Sequence, residues 1–230
     1  MMTSTVWNNT PLPKMQTACR IDRVLLMDAC PITRAGICSA FQPPQFQIMD
    51  CVHVEKVCDL PVAMQQGKVD VVITELCGEG ESVLEGLRMI SHLRQYWARV
   101  PLIVATSLQE PHLLAQLRTL RVSGIYLKQD PLSSLTQGVL CAMAGLSSLS
   151  PSAVNLIGNG APSLSLTGRE MDVLECLFAG RTVTDTARVL ARDVRTISTH
   201  KRRAMIKLGF HSDSDLYTRG DYLARNGLLI

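Results

Sequence analysis

The sequence predicts an α/β domain on a parallel sheet followed by a small all-α domain, and three observations carry that expectation. Between Arg23 and Lys128, short apolar β-type runs alternate with helical segments. From Leu149 to Ser165 the chain turns rich in Ser, Pro, Gly and Asn, the composition of a boundary. From Leu164 to Phe210 three short helical patterns follow, the last of them basic. A chain of 230 residues is long enough for two separate cores. The expected divisions are an arm over 1–19, the α/β domain over 20–148, a linker over 149–163 and the helical domain over 164–230.

Met1 to Cys19 has mixed polarity, two prolines and no periodicity, so it reads as a disordered or loosely docked arm. Trp7 and Met15 offer docking groups with no indicated partner. The strands are expected at Arg23–Asp28, Phe46–Val52, Asp70–Leu76, Pro101–Thr106 and Gly124–Lys128. Near-continuous apolar strands separated by helices imply a parallel sheet covered on both faces. Any site should then lie at the carboxyl ends of the strands.

The helical domain opens with Thr167 and Glu170, the spacing of a capping box, in which each side chain satisfies a free N–H of the first turn. Val173, Leu174, Leu177 and Phe178 form an apolar stripe that ends at Gly180. A second helix begins near Thr182 to Thr184, turns Ala187 and Leu190 inward and stops around Ala191 to Asp193. Asp193 can cap the third helix through its carboxylate. At about 100° per residue, Val194, Ile197, Ala204, Met205 and Leu208 fall on one side, and Arg195, Ser198, Thr199, Arg202 and Arg203 on the other. Two tight helices before a third with an apolar back and an Arg/Ser/Thr front form a helix-turn-helix, whose front would enter the major groove of double-stranded DNA. Arginine there can chelate guanine O6/N7, and Ser or Thr can meet a base edge or a phosphate.

Charge favours the same partner. The whole excess of +3 sits beyond residue 160, where 11 basic side chains face 8 acidic ones, against 12 of each before it. Between Arg188 and Lys207, seven cationic residues, Lys201 and Lys207 among them, stand against the single acid Asp193, enough to neutralise several phosphates. A basic helix can also be no more than a solvated face. Eight scattered cysteines without a C-x-x-C pair, and no signal peptide, point to reduced and largely buried thiols in a cytoplasm, with no structural metal. No apolar run approaches the roughly 18 residues of a membrane span. No catalytic constellation and no cofactor motif stand out.

The run from Leu164 to Phe210 resembles the C-terminal domain of the LuxR/NarL (FixJ) family of bacterial transcription regulators. Thr167 and Glu170, Gly180, Thr196 and Ile197, and Lys207, Leu208 and Gly209 carry the resemblance. It implies base contacts at Ser198, Thr199 and Arg202, within a DNA-facing set of Arg195, Thr196, Ser198, Thr199, Lys201, Arg202, Arg203 and Lys207. It also implies a fourth, dimer-forming helix from about Ser212 to Arg225, with Gly227 just past its end. Asp193 departs from the family's frequent Ser.

The preceding domain is similar to the receiver of two-component response regulators, a flavodoxin-like fold of five parallel strands. A working receiver has two acids ending its first strand, an Asp acceptor ending the third, a Thr ending the fourth and a Lys ending the fifth. Asp28, Thr106 and Lys128 match, but Ala29 replaces the second acid and Glu75 stands at the acceptor position. Ile125 occupies the place of the usual aromatic, with Tyr126 beside it. Mg²⁺ needs near-octahedral oxygen ligation, which Asp28 and Glu75 supply poorly. The extra methylene of Glu75 also displaces its carboxylate, and a misplacement of about 1 Å can cost on the order of 100-fold. The resemblance therefore implies a degenerate receiver without physiological phosphorylation. Glu75 either pairs permanently with Lys128, imitating the charge of the activated state, or belongs with Asp28 and Lys128 to an ordinary polar cluster.

Within the family, RTISTHKRRAMIKLGF and MDACPITRAG most resemble the Rcs-type capsule-synthesis regulators and their auxiliary partners. That implies a homodimer, or a heterodimer with an orthodox LuxR-type response regulator, with RNA polymerase as a further candidate partner. The competing reading is an interaction module that sequesters or remodels a partner regulator, with DNA contact secondary. Apolar surface at Leu113–Leu120 and Leu132–Met143 would serve either reading, although leucines in such helices are more often core.

Overall fold

The structure, a computed structural model, describes residues 19–41, 46–158 and 164–224. The expected arm apart from Cys19, residues 159–163 of the expected linker, and Arg225 and Gly227 lie outside the described residues. Strands β1 (Cys19–Met27), β2 (Phe46–Val54), β3 (Val71–Thr74), β4 (Leu102–Thr106), β5 (Gly124–Leu127) and β6 (Ser148–Leu149) form one sheet. Its order is β2-β1-β3-β4-β5-β6 and every pairing is parallel. The first five strands follow the order of the flavodoxin-like doubly wound fold.

Side-chain alternation along the strands builds two cores. Ile21, Val24, Leu26, Ile73, Ile103 and Tyr126 pack on one face, beneath α1 (Pro31–Ala40) and α5 (Leu132–Met143). Leu25, Met27, Val72, Val104 and Leu127 pack on the other, beneath α2 (Leu60–Gln65), α3 (Val83–Tyr96) and α4 (Pro111–Thr119).

The sixth strand corrects the expectation of five, and with α6 (Pro151–Ile157) it corrects the linker. Ser148 and Leu149 pair with Gly124 and Ile125. Ser150 precedes α6 and its hydroxyl accepts from Leu127 N–H at 3.0 Å, while the carboxylate of Asp130 accepts from the Ser152 hydroxyl at 2.6 Å and its N–H at 3.1 Å. Ala153 and Ile157 are buried. Ser and Pro mark loops, but Ser-Pro is also the chemistry of a helix start, and here it starts a helix docked on the α/β domain.

In the helical domain, α7 (Gly168–Phe178) opens with the full Thr167/Glu170 capping box. Gly180 takes φ +79°, the left-handed conformation that ends helices. After α8 (Val183–Val189), Ala191 takes φ +50°, and Asp193 caps α9 (Val194–Lys207) by accepting from Arg195 N–H at 2.7 Å. The single fourth helix expected from Ser212 is split into α10 (Asp213–Thr218) and α11 (Asp221–Ala224). The break falls at Gly220, where a Cβ would stand 2.2 Å from the Leu216 carbonyl oxygen and 3.1 Å from the Phe178 and Phe210 rings.

The domains share apolar contacts in which α3 meets α7 and α11. Arg88 of α3 donates to Asp172 Oδ1 at 2.7 Å and Glu175 Oε1 at 3.1 Å, both on α7. Gly209 (φ +68°) lies against His112 of α4, leaving no room for a Cβ. The thiols also depart from expectation. None of the eight is fully buried, Cys30 and Cys58 are exposed, and Cys38 and Cys51 meet at 3.3 Å.

Candidate nucleic-acid interface and the acidic site of the sheet

Helix α9 turns Ile197, Ala204 and Leu208 into the core against α7 and α8. Arg195, Thr196, Ser198, Thr199, Arg202 and Arg203 are all exposed. No acid lies within ion-pair distance of Arg195, Arg202 or Arg203 among the described residues. The Ser198 and Thr199 hydroxyls donate back to the carbonyls of Val194 and Arg195, at 2.9 and 2.8 Å, leaving their oxygen lone pairs turned outward as acceptors. Val194, expected on the apolar back, is 42% exposed because it opens the helix beyond the reach of α7 and α8.

The two lysines of the expected DNA-facing set are committed inside the domain. Lys207 Nζ lies 2.7 Å from Glu170 Oε2 and 2.8 Å from the Ser165 carbonyl oxygen. Glu170 is buried; burial raises its carboxyl, but Lys207 and Thr167 outweigh burial and hold it below its ordinary value. Lys201 Nζ pairs with Asp213 Oδ2 at 2.7 Å, tying α9 to α10. Asp193 is spent as the cap of α9 rather than standing free beside incoming phosphates.

At the carboxyl edge of the sheet, Asp28, Glu75, Thr106 and Lys128 come together. Lys128 Nζ lies 2.6 Å from Asp28 Oδ2 and 2.8 Å from Glu75 Oε2. Burial alone would lower the Lys128 ammonium, but Glu75 and Asp28 hold it above its ordinary value. Glu75 also accepts from Leu76 N–H at 2.8 Å and Ser107 N–H at 3.3 Å, and Asp28 from Cys30 N–H at 2.8 Å. Thr106 is fully buried, its hydroxyl oxygen accepting from Leu108 N–H at 3.1 Å. Tyr126 packs toward α1 and α5 and donates to the Asp130 carbonyl at 2.6 Å, while Ile125 faces the opposite core.

These residues do not fit a bound Mg²⁺. Ala29 offers no side-chain oxygen, and one oxygen of each remaining carboxylate is taken by the Lys128 ammonium, which puts a cation at the centre of the acid pair. Near-octahedral ligation by oxygen has too few donors left.

Residues 164–219 match the bacterial regulatory proteins of the luxR family. Over 147 residues the chain is 29% identical to the transcriptional regulatory protein RcsB of Escherichia coli strain K12, covering 62% of this chain and 68% of RcsB. The structure is similar to RcsB from Salmonella enterica serovar Typhimurium bound to promoter rprA in the presence of phosphomimetic BeF3-, with a TM-score of 0.62 and 27% identity. That likeness covers 89% of this chain and 99% of the other. Residues 164–219 thus match the luxR regulators, and the chain as a whole is similar to the response regulator RcsB in sequence and fold. The same RcsB bound to promoter P1flhDC gives a TM-score of 0.60 at 26% identity over 88% of this chain and 98% of that one, so the likeness spans both domains.

The leucines weighed as interaction surface are core. Leu113, Leu114 and Leu117 of α4 and Leu135 of α5 are fully buried, and only Leu132, at 38%, is appreciably exposed. Arg88 and Ser107 act at the domain contact and at Glu75, and sequence reasoning missed both. Nothing local marks Arg88, whose partners lie 84 and 87 residues away, and Ser107 contributes only its backbone.

Proposed function

We propose that this regulator binds specific sites in double-stranded DNA through the exposed front of α9 and controls transcription in the cytoplasm without phosphorylation of its receiver. The observation that carries the reading is the sorting of cations on α9: Lys201 and Lys207 are neutralised by Asp213 and Glu170, while Arg195, Arg202 and Arg203 are exposed without an acid partner among the described residues. Planar guanidiniums suit bidentate contact with guanine edges and phosphates. Arg195, Thr196, Ser198, Thr199, Arg202 and Arg203 are the contact set, with Lys201 and Lys207 holding the helix. RcsB, with which the chain shares sequence and fold, is seen bound to promoters.

In the receiver, Glu75 pairs with Lys128 and accepts from Ser107 N–H, and this standing pair imitates the activated state. The regulator acts as a dimer, with itself or with an orthodox LuxR-type response regulator, and RNA polymerase is the downstream partner. Burial of the α4 and α5 leucines disfavours the reading of a sequestering module. Selection from a random duplex pool by the purified full-length protein, with Arg202→Ala as control, tests the reading. Enrichment of a two-fold symmetric site, lost in the variant, is expected; retention of the same site by Arg202→Ala would contradict it.

A further inference from the structure

Far from α9, the fold brings together three soft donors that the sequence leaves dispersed: Cys38 in the last turn of α1, and Cys51 and His53 on the edge strand β2. Cys51 and His53 are two apart, so strand alternation sets them on one side of β2, and Cys38 comes over them from the helix. Cys38 Sγ lies 3.3 Å from Cys51 Sγ and 3.9 Å from His53 Nε2, and the three donor atoms lie within 4.8 Å of one another.

We propose that Cys38, Cys51 and His53 form a zinc site that clamps α1 onto β2. Zn–S and Zn–N bonds of about 2.3 and 2.0 Å in a tetrahedron set donor separations of roughly 3.5–3.8 Å, close to the 3.3 and 3.9 Å that separate Cys38 from Cys51 and His53. Two thiolates and an imidazole select zinc-like ions over Mg²⁺ or Ca²⁺. Val24, Leu26, Ile37, Phe41 and Ile48 line an apolar cavity beside the two cysteines, so the sulfurs sit against a wall that offers a hydrated hard ion no oxygen. His53 is exposed, which leaves the fourth position facing solvent for a water or an exogenous ligand. On binding, two S–H bonds break and two Zn–S bonds form. Two protons leave to solvent, the imidazole nitrogen donates its lone pair, and nothing is oxidised.

The clamp would add to the polar tie made by Arg34 of α1, which donates to the Asp28 carbonyl at 2.6 Å and pairs with Glu55 just past β2. A cation at the cysteines would fix the far end of the same helix.

Full-length protein, reduced and freed of metal by a chelator, is titrated with Co²⁺ and then Zn²⁺. The expected result is about one equivalent of Co²⁺ with the thiolate charge-transfer and intense d–d bands of a tetrahedral site, displaced by Zn²⁺. Cys38→Ser and Cys51→Ser should abolish the bands, and Cys30→Ser and Cys58→Ser should leave them. His53→Ala, at an exposed position tolerant of change, should weaken uptake at least tenfold, so the test survives if a cysteine variant misfolds. The proposal is overturned by absence of the bands, by bands that persist in Cys38→Ser and Cys51→Ser, by undiminished uptake in His53→Ala, by uptake of Cu⁺ alone, or by a Cys38–Cys51 disulfide that forms in air despite added Zn²⁺.

Discussion

At the carboxyl edge of the sheet Lys128 is closed between Asp28 and Glu75, whereas along the front of α9 Arg195, Arg202 and Arg203 meet solvent with no acid in reach among the described residues. Both regions are rich in charge, and the difference lies in what answers it. At the sheet edge a single internal cation is shared between two carboxylates. On α9 the three front arginines have no acid partner among the described residues, which is what the proposed contact with DNA requires. The two lysines of α9 follow the receiver's pattern and its three front arginines do not. A count of basic residues is therefore a poor guide to which of them are open to a ligand.

The largest effect expected from breaking this contrast is at Lys207. Lys207→Met leaves the buried Glu170 carboxylate without its cation and should cost about 3 kcal/mol in urea unfolding; a loss of DNA affinity at unchanged stability would instead return Lys207 to the interface. The same pair sets an acid limit. Because the folded Glu170 carboxyl lies below its ordinary value of 4.5, its stabilisation is complete above that value and is lost as pH falls through the lower, folded one. Glu170→Gln should flatten this part of the stability profile below about pH 4.5.

Arg202→Ala comes next. It should lower affinity for the selected duplex by about 2 kcal/mol, roughly 30-fold. Lys201→Ala, which breaks an internal pair, should leave the salt dependence of binding almost unchanged, whereas loss of a phosphate contact would reduce the salt slope by about 1. The smallest effect belongs to Arg88→Ala. The Arg88 pairs are part-exposed, so about 1 kcal/mol or less is at stake. The visible result should be a larger radius of gyration in small-angle scattering, with affinity for the selected duplex preserved.

What could be read from the sequence was local. The capping box of α7, the left-handed Gly180 and the Asp193 cap each rest on residues two or three apart. The strand runs announced the sheet because burial on both faces leaves near-continuous apolar residues. The start of α6 was misread because Ser and Pro serve loops and helix starts alike, and only the docking of Ala153 and Ile157 decides between them. The role of Lys207 was hidden because Glu170 stands 37 residues earlier. Asp28, Glu75, Thr106 and Lys128 were found through resemblance, since strand ends meet only once the sheet order is known. Cys38, Cys51 and His53 stayed invisible for the same reason, with helix and strand donors 13 and 15 residues apart.

The most direct measurement is the affinity of the full-length protein for its selected duplex, by fluorescence anisotropy, for wild type and Glu75→Gln, each with and without Mg²⁺ and beryllofluoride. A receiver held by the Glu75–Lys128 pair leaves the wild type unmoved by beryllofluoride and makes Glu75→Gln bind at least tenfold more weakly while still folded. A wild type that tightens on DNA with beryllofluoride, or a Glu75→Gln variant that binds as well as wild type, would contradict it.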